Sequence, residues 1–148
     1  MKLPFALIPE QHGFKAKGPC RATDDSVGYD MFAFGDHVIY GGETRLIPVG
    51  FHAVIEPGYA AFMWDRSSMG VKGIHRFAGC IDPGYRGQWG VVLHNASGVT
   101  WSISHGDKIA QFVIQKCETP VPFEMSLAAL LEKYPSERGQ GGFGSTGR

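Results

Sequence analysis

The sequence predicts an all-β domain, an antiparallel sandwich or barrel, with one short helix near its C-terminal end. Three observations carry this. Twenty-one glycines and nine prolines break the 148-residue chain into short pieces. Apolar residues alternate within those pieces, and turn signals separate them at intervals suited to short strands.

Taken in order, Phe51, Ala53 and Ile55 alternate with His52 and Glu56. Trp89, Val91 and Leu93 share one parity, and so do Val99, Trp101 and Ile103. Ile109 to Ile114 is a more continuous apolar run. Turns are expected at Glu56-Pro57-Gly58, Asp82-Pro83-Gly84, Asn95-Ala96-Ser97-Gly98 and His105-Gly106-Asp107. The helix is expected where Leu127, Leu130, Leu131 and Tyr134 fall at i, i+3, i+4 and i+7, capped by Ser126 and stopped before Pro135. No internal repeat or interdomain linker is visible. One domain is expected, a β core over 1–137 followed by a glycine-rich arm over 138–148.

Composition narrows the function classes. Hydrophobic residues make up 43% and charged residues 19%, ordinary for a globular protein. Fourteen basic and fourteen acidic residues give a formal net charge of zero. That argues against stable nucleic-acid binding, which needs a basic excess, yet leaves room for one local anion site. Neutrality suits a subunit that hides surface in an oligomer. Cys20, Cys80 and Cys117 are odd in number and far apart, so a reducing compartment is expected rather than a disulfide framework. The six histidines are scattered, which reads as surface or packing roles rather than metal ligation. The opening Met1–Gln11 run is too short and too quickly broken by Pro9 and Glu10 for a secretion signal, and no stretch approaches a membrane span. A soluble, cytoplasmic protein is the expectation.

Several short motifs carry candidate chemistry. Arg66-Ser67-Ser68-Met69-Gly70 sets a guanidinium beside two hydroxyls, a donor group suited to phosphate. Gly79-Cys80-Ile81-Asp82-Pro83-Gly84-Tyr85-Arg86-Gly87 reads as strand, turn, strand. An Asp opening such a turn either bonds its own backbone in an Asx-turn or holds a carboxylate ready to take a proton from water. Gly28-Tyr29-Asp30 supplies a second carboxylate, and Gly106-Asp107-Lys108-Ile109-Ala110-Gln111 opens a strand with polar residues among apolar ones. The tail, Arg138 to Arg148, cannot order itself by burial. It is either a loose terminus or a lid whose Arg138, Phe143, Ser145 and Thr146 meet a ligand.

Taken in chain order, and with Arg21-Ala22-Thr23 ahead of Gly28, the five stretches resemble the motifs of the homotrimeric dUTPase family. The resemblance implies a jelly-roll-like β-sandwich or barrel subunit, a homotrimer with a swapped C-terminal arm, and hydrolysis of dUTP to dUMP and pyrophosphate with Mg²⁺. It makes Asp82 the general base for water attacking the α-phosphorus. Tyr85 would pack on the deoxyribose and exclude a 2′-hydroxyl, while Gly79, Cys80 and Ile81 would read the uracil edge. Arg66, Ser67, Ser68 and Gln111 would hold phosphates. Asp30 would orient a water on Mg²⁺, itself held mainly by the substrate's phosphates. Phe143 would stack on uracil, and Arg138, Gly144, Ser145 and Thr146 would grip the outer phosphates.

Some residues depart from the family pattern. Asp65 stands where a proline is usual and would either pair with Arg66 or point away. Cys80 replaces a Val or Leu and reads as packing. Arg76 and Phe77 precede the turn where small or apolar residues are common. The rival activity on this fold, dCTP deamination, needs a Glu ten residues after the turn Asp; Val92 stands there and cannot move a proton. A non-enzymatic regulatory trimer is the other reading, with no feature that demands it.

Overall fold

The computed structural model describes residues 2–137, 139 and 141. Eleven short strands appear among them: β1 (Phe5–Leu7), β2 (Tyr29–Phe32), β3 (His37–Ile39), β4 (Thr44–Pro48), β5 (Phe51–Ala53), β6 (Tyr59–Trp64), β7 (Ile74–Arg76), β8 (Cys80–Ile81), β9 (Gly90–Asn95), β10 (Trp101–Ile103) and β11 (Lys108–Lys116). The helices are α1 (Ser67–Gly70) and α2 (Leu127–Lys133).

The strands form antiparallel sheets in the orders β2-β11-β6-β8, β4-β9-β7, β10-β3 and β1-β5. This is the jelly-roll-like all-β architecture. The order shows why alternation was readable. Val91, Leu93 and Asn95 on β9 are buried while Val92 and His94 between them are partly open. Phe51 and Ala53 turn inward, and His52 faces out. Val99 departs from its expected parity: it is exposed in the turn before β10 rather than in the strand.

One core serves the β body. Trp89 tilts on Phe51 at 5.3 Å and meets Phe112 edge-on at 5.0 Å, with Tyr29 stacked on the far side of Phe112 at 5.1 Å. Met31, Ile39, Ile47, Ile74 and Ile109 fill the space around them. Burial of such side chains contributes about 1.5–3 kcal/mol each.

Within this core lies a polar knot. Asn95 is fully buried, and its amide donates to Ile39 O at 2.9 Å and Val99 O at 2.7 Å. Its Oδ1 accepts Ser97 N–H at 3.0 Å and Ser97 O–H at 2.6 Å. The Asn95–Gly98 turn is thereby tied to β3, and a buried amide is fully satisfied.

The chain divides into two units, Met1–Glu118 and Thr119–Arg148. The last strand ends at Lys116, so residues 119–137, grouped by sequence with the β core, take no part in its sheets. In the second unit α2 begins as expected: Ser126 caps it by accepting Ala129 N–H at 3.2 Å, and it stops before Pro135. Its Leu127, Leu130, Leu131 and Tyr134 are exposed. Among the described residues no helix is long and apolar enough to cross a membrane.

Replacing Asn95 by Leu keeps the branched shape in a bulkier side chain and removes the amide's bonds to Ile39 O, Val99 O and Ser97. The expected outcome is a loss of about 2–3 kcal/mol, read as a lowered midpoint in urea unfolding with an unchanged slope. A midpoint equal to the parent's would show that the knot does not stabilise the fold.

Candidate functional site

Three strands set the first half of the site. In register, Asp30 of β2 lies opposite Gln111 of β11, which lies opposite Trp64 at the end of β6. Phe112, the next residue of β11, turns into the core, so Gln111 and Asp30 share the other face. A bulge completes the row. Phe32 pairs with Lys108 but Met31 pairs with Ala110, leaving Ile109 as an extra residue that dives inward. Without it Lys108 and Gln111 would face opposite ways; with it both stand beside Asp30.

Asp30 is buried and held by two cations. Its Oδ1 is 3.2 Å from Arg66 Nε and its Oδ2 is 2.6 Å from Lys108 Nζ. Arg66 also donates to Lys108 O at 3.3 Å. Two positive groups around one carboxylate leave a local surplus of positive charge in a chain of zero net charge. Gln111 Nε2 donates to Asp65 O at 3.1 Å, and a Cβ at Gly28 would sit 2.5 Å from Gln111 Oε1, which explains a glycine there. Ala22, Asp30, Arg66, Ser67, Ser68, Lys108 and Gln111 line one open cavity of about 400 Å³.

Ser67 and Ser68 open the four-residue α1, with Arg66 at its N-cap and buried Met69 as its anchor. Asp65 points away from Arg66. Its Oδ1 accepts Arg76 N–H at 2.7 Å and its Oδ2 lies 3.1 Å from His75 Nδ1, so it clips the end of β6 to β7. The two residues that sequence left without a role have contacts of their own. The Arg76 guanidinium lies 5.3 Å over the Trp64 ring, and Phe77 stacks on His94 at 4.7 Å.

The second half-site is built on β8. The expected strand–turn–strand hairpin is not formed: β8 pairs with β6, whereas β9 pairs with β4 and β7. Pro83 has no N–H to give and the residues up to Gly90 close on themselves as a loop. Strand β8 is the edge of its sheet. Gly79 O accepts Met63 N–H at 3.0 Å, so by the antiparallel period Cys80 turns its N–H and C=O to the open edge. Gly79 has φ 154°, and a Cβ on it would come 2.9 Å from Met63 Sδ. Cys80 is exposed, which corrects its reading as a packing residue: nothing among the described residues covers its face of the strand. Partial desolvation, then the Asp82 charge and Cys117, push the Cys80 thiol up, so it stays protonated.

Asp82 opens the turn through its backbone, whose carbonyl accepts Tyr85 N–H at 3.1 Å. Among the described residues its side chain makes no hydrogen bond or ion pair, so the Asx-turn alternative does not hold. Cys80, Ile81, Asp82, Tyr85 and Trp89 line a cavity of about 470 Å³ together with Leu46, Pro48, Gln88 and Gly90. It shares no residue with the Arg66 cavity. One chain thus brings Asp30, Arg66, Ser67, Ser68 and Gln111 together, and separately gathers Cys80, Ile81, Asp82 and Tyr85.

Arg138, Phe143, Gly144, Ser145 and Thr146 lie outside the described residues. Lys108 is the site residue that sequence reasoning missed; the signal was a cation two residues after Gly106, in a motif where only Gln111 drew notice. Among the described residues no three His, Cys, Asp or Glu side chains form a group able to hold a metal ion.

Known proteins share this chain's sequence pattern and fold. The dUTPase family model matches residues 15–147. The chain is 34% identical to the deoxyuridine 5'-triphosphate nucleotidohydrolase of Yarrowia lipolytica over 99% of its own length and 90% of the relative's. It is similar in structure to a Staphylococcus bacteriophage 80alpha dUTPase G164S mutant with dUpNHpp, with a TM-score of 0.86, 25% identity and 99% of each chain covered. It is also similar to a D95N mutant dUTPase from phage phi11 of S. aureus that coordinates a structural Mg(II) ion, with a TM-score of 0.77 and 25% identity over 84% of this chain and 97% of that one. With its motifs distributed from Asp30 to Gln111 over a matching fold, the chain belongs to the dUTPase family.

Proposed function

We propose that this chain hydrolyses dUTP to dUMP and pyrophosphate by in-line attack of water on the α-phosphorus. The activity limits uracil incorporation into DNA and supplies dUMP for dTMP synthesis, in the cytoplasm or, for a viral chain, that of its host cell. The observation that carries this reading is the Asp82 carboxylate, unpaired among the described residues, in a cavity with the open edge of β8 and Tyr85.

Each residue has a definite task. Asp82 accepts the proton of the attacking water, and a positioned base of this kind is worth roughly 10²–10⁴ in rate. The outward N–H and C=O of Cys80 meet the uracil edge as a strand partner does, with Gly79 and Ile81 shaping the approach. Cytosine exchanges an acceptor and a donor on that edge and leaves buried groups unpaired, which discriminates strongly. The Tyr85 ring packs on deoxyribose. Arg66, Ser67, Ser68 and Gln111, with Lys108, hold phosphate oxygens and stabilise charge on the leaving pyrophosphate. Arg138, Phe143, Gly144, Ser145 and Thr146 belong to an arm, Arg138 to Arg148, that closes a neighbouring site and excludes bulk water.

The two half-sites lie in separate cavities of one chain, and this supports a homotrimer whose sites form between subunits. The residues also suit Mg²⁺. Both oxygens of Asp30 are engaged by Arg66 and Lys108, so it cannot cage the ion. It suits an outer role, orienting a water on an ion bound mainly by the triphosphate, as Mg²⁺ is usually bound. When bound, Mg²⁺ supplies charge neutralisation across the phosphates.

Asp82→Asn is expected to lose about 10²–10⁴ in kcat while still binding dUTP. Pyrophosphate release and equilibrium titration check the two halves of that statement, and near-normal turnover would remove Asp82 from its role. A chain ended before Arg138 is expected to remain folded, by circular dichroism, with little activity; full turnover would contradict the lid. Pyrophosphate release compared across dUTP, dCTP, dTTP and UTP, with and without Mg²⁺, tests the substrate and the metal together.

A further inference from the structure

The loop from Asp82 to Gln88 carries Tyr85, and most of its hydrogen bonds are its own. Tyr85 N–H bonds Asp82 O at 3.1 Å, and Tyr85 O–H donates to Gln88 O at 3.0 Å. The Arg86 guanidinium donates from Nη1 to Pro83 O at 2.5 Å and Tyr85 O at 2.9 Å. Bonds of this kind fix the loop's shape but not its position on the β body. Position comes from β5 and the residues just before it, where Val49 N–H donates to Trp89 O at 3.2 Å. Trp89 N–H donates to Phe51 O at 2.9 Å at the loop's exit. Next door, His52 Nδ1 lies 3.0 Å from Arg86 O, reaching the loop at its middle. A carbonyl only accepts, so Nδ1 carries the proton. Strand alternation makes this possible: Phe51 and Ala53 fill the core, and His52 between them is turned outward.

We propose that His52 is a positioning residue for sugar selectivity, holding the Tyr85 loop against β5 so that the Tyr85 ring is a stiff wall. This rests on the proposed function, in which Tyr85 leaves no room for a 2′-hydroxyl. Rejection by a clash is only as strong as the wall's resistance to moving. Tyr85 is 44% exposed, so packing within the chain supplies only part of that resistance. The tether at Arg86, the residue after Tyr85, adds the rest. Its loss lets the ring yield to a ribose while a deoxyribose, which packs on the ring without a clash, is handled much as before.

The test is kcat/KM for dUTP and for UTP on the full-length chain, for the wild type, His52→Leu and His52→Asn. An Asn amide nitrogen takes nearly the place of His Nδ1, so His52→Asn keeps the donor while His52→Leu removes it. His52→Leu is expected to raise the UTP-to-dUTP ratio roughly tenfold, the scale of one lost hydrogen bond, and His52→Asn to return it to the wild-type value. An unchanged ratio in His52→Leu, an equal loss on both substrates, or failure of His52→Asn to rescue would each overturn the proposal. If the wild type itself does not prefer dUTP to UTP, the Tyr85 reading fails and this inference falls with it. If it does prefer dUTP and the variants match it, the inference alone falls. Thermal unfolding is followed for every variant, and His52→Ala replaces His52→Leu should the latter not fold.

Discussion

The pairing of β2, β11 and β6 is the constraint on which the half-site around Asp30 depends. Three strands in register put Asp30, Gln111 and the end of β6 in one row, and the bulge at Ile109 brings Lys108 into it. A one-residue slip in β11 would send Gln111 into the core and bring Phe112 out. Phe112 is locked between Trp89 and Tyr29, so the aromatic core fixes the register that the site needs. Packing and chemistry are therefore one problem here. The cations around Asp30 are held in place by the same ladder that buries Phe112.

The second half-site follows a different logic. Its scaffold is an edge strand, an unpaired row of backbone groups that proteins ordinarily cover. Here the open edge of Cys80 is placed beside a carboxylate unpaired among the described residues and an exposed tyrosine. Gly79, with its unusual backbone and its close approach to Met63, seats the strand. The loop beyond gains its shape from its own hydrogen bonds and its place from Phe51 and His52 on β5. On the proposed reading the two half-sites, each built within one chain, meet only between chains, which would give the assembly a chemical reason to exist.

Much of this was legible in the sequence, for identifiable reasons. Period-two alternation in Phe51–Ala53 and Gly90–Asn95, and Gly or Pro at the turns, reflect local physics that one sequence displays. The capped helix at Ser126 did so as well. The bulge at Ile109 was not legible. It showed only as a run of apolar residues from 109 to 114, because both Ile109 and Ala110 are buried, and so Lys108 went unassigned. The hairpin expected after Asp82 failed for a similar reason. A turn signal tells that the chain bends, not which strands then pair, and β8 found β6 through contacts distant in sequence. Asp65 could be seen to be unusual, but its choice of Arg76 and His75 over Arg66 depends on where β7 lies. His52 looked like any outward residue of an alternating strand.

The central claim is that water activation by Asp82 and phosphate binding by Arg66 meet only when chains assemble. Mixing tests it directly. Chains carrying Asp82→Asn and chains carrying Arg66→Ala, each nearly inactive alone, are unfolded together and refolded, and mixed assemblies are verified by native mass spectrometry. Pyrophosphate release from dUTP should then recover well above that of either parent, since some sites receive an intact Asp82 from one chain and an intact Arg66 from another. Mixed assemblies as inactive as their parents would show that both groups must come from the same chain.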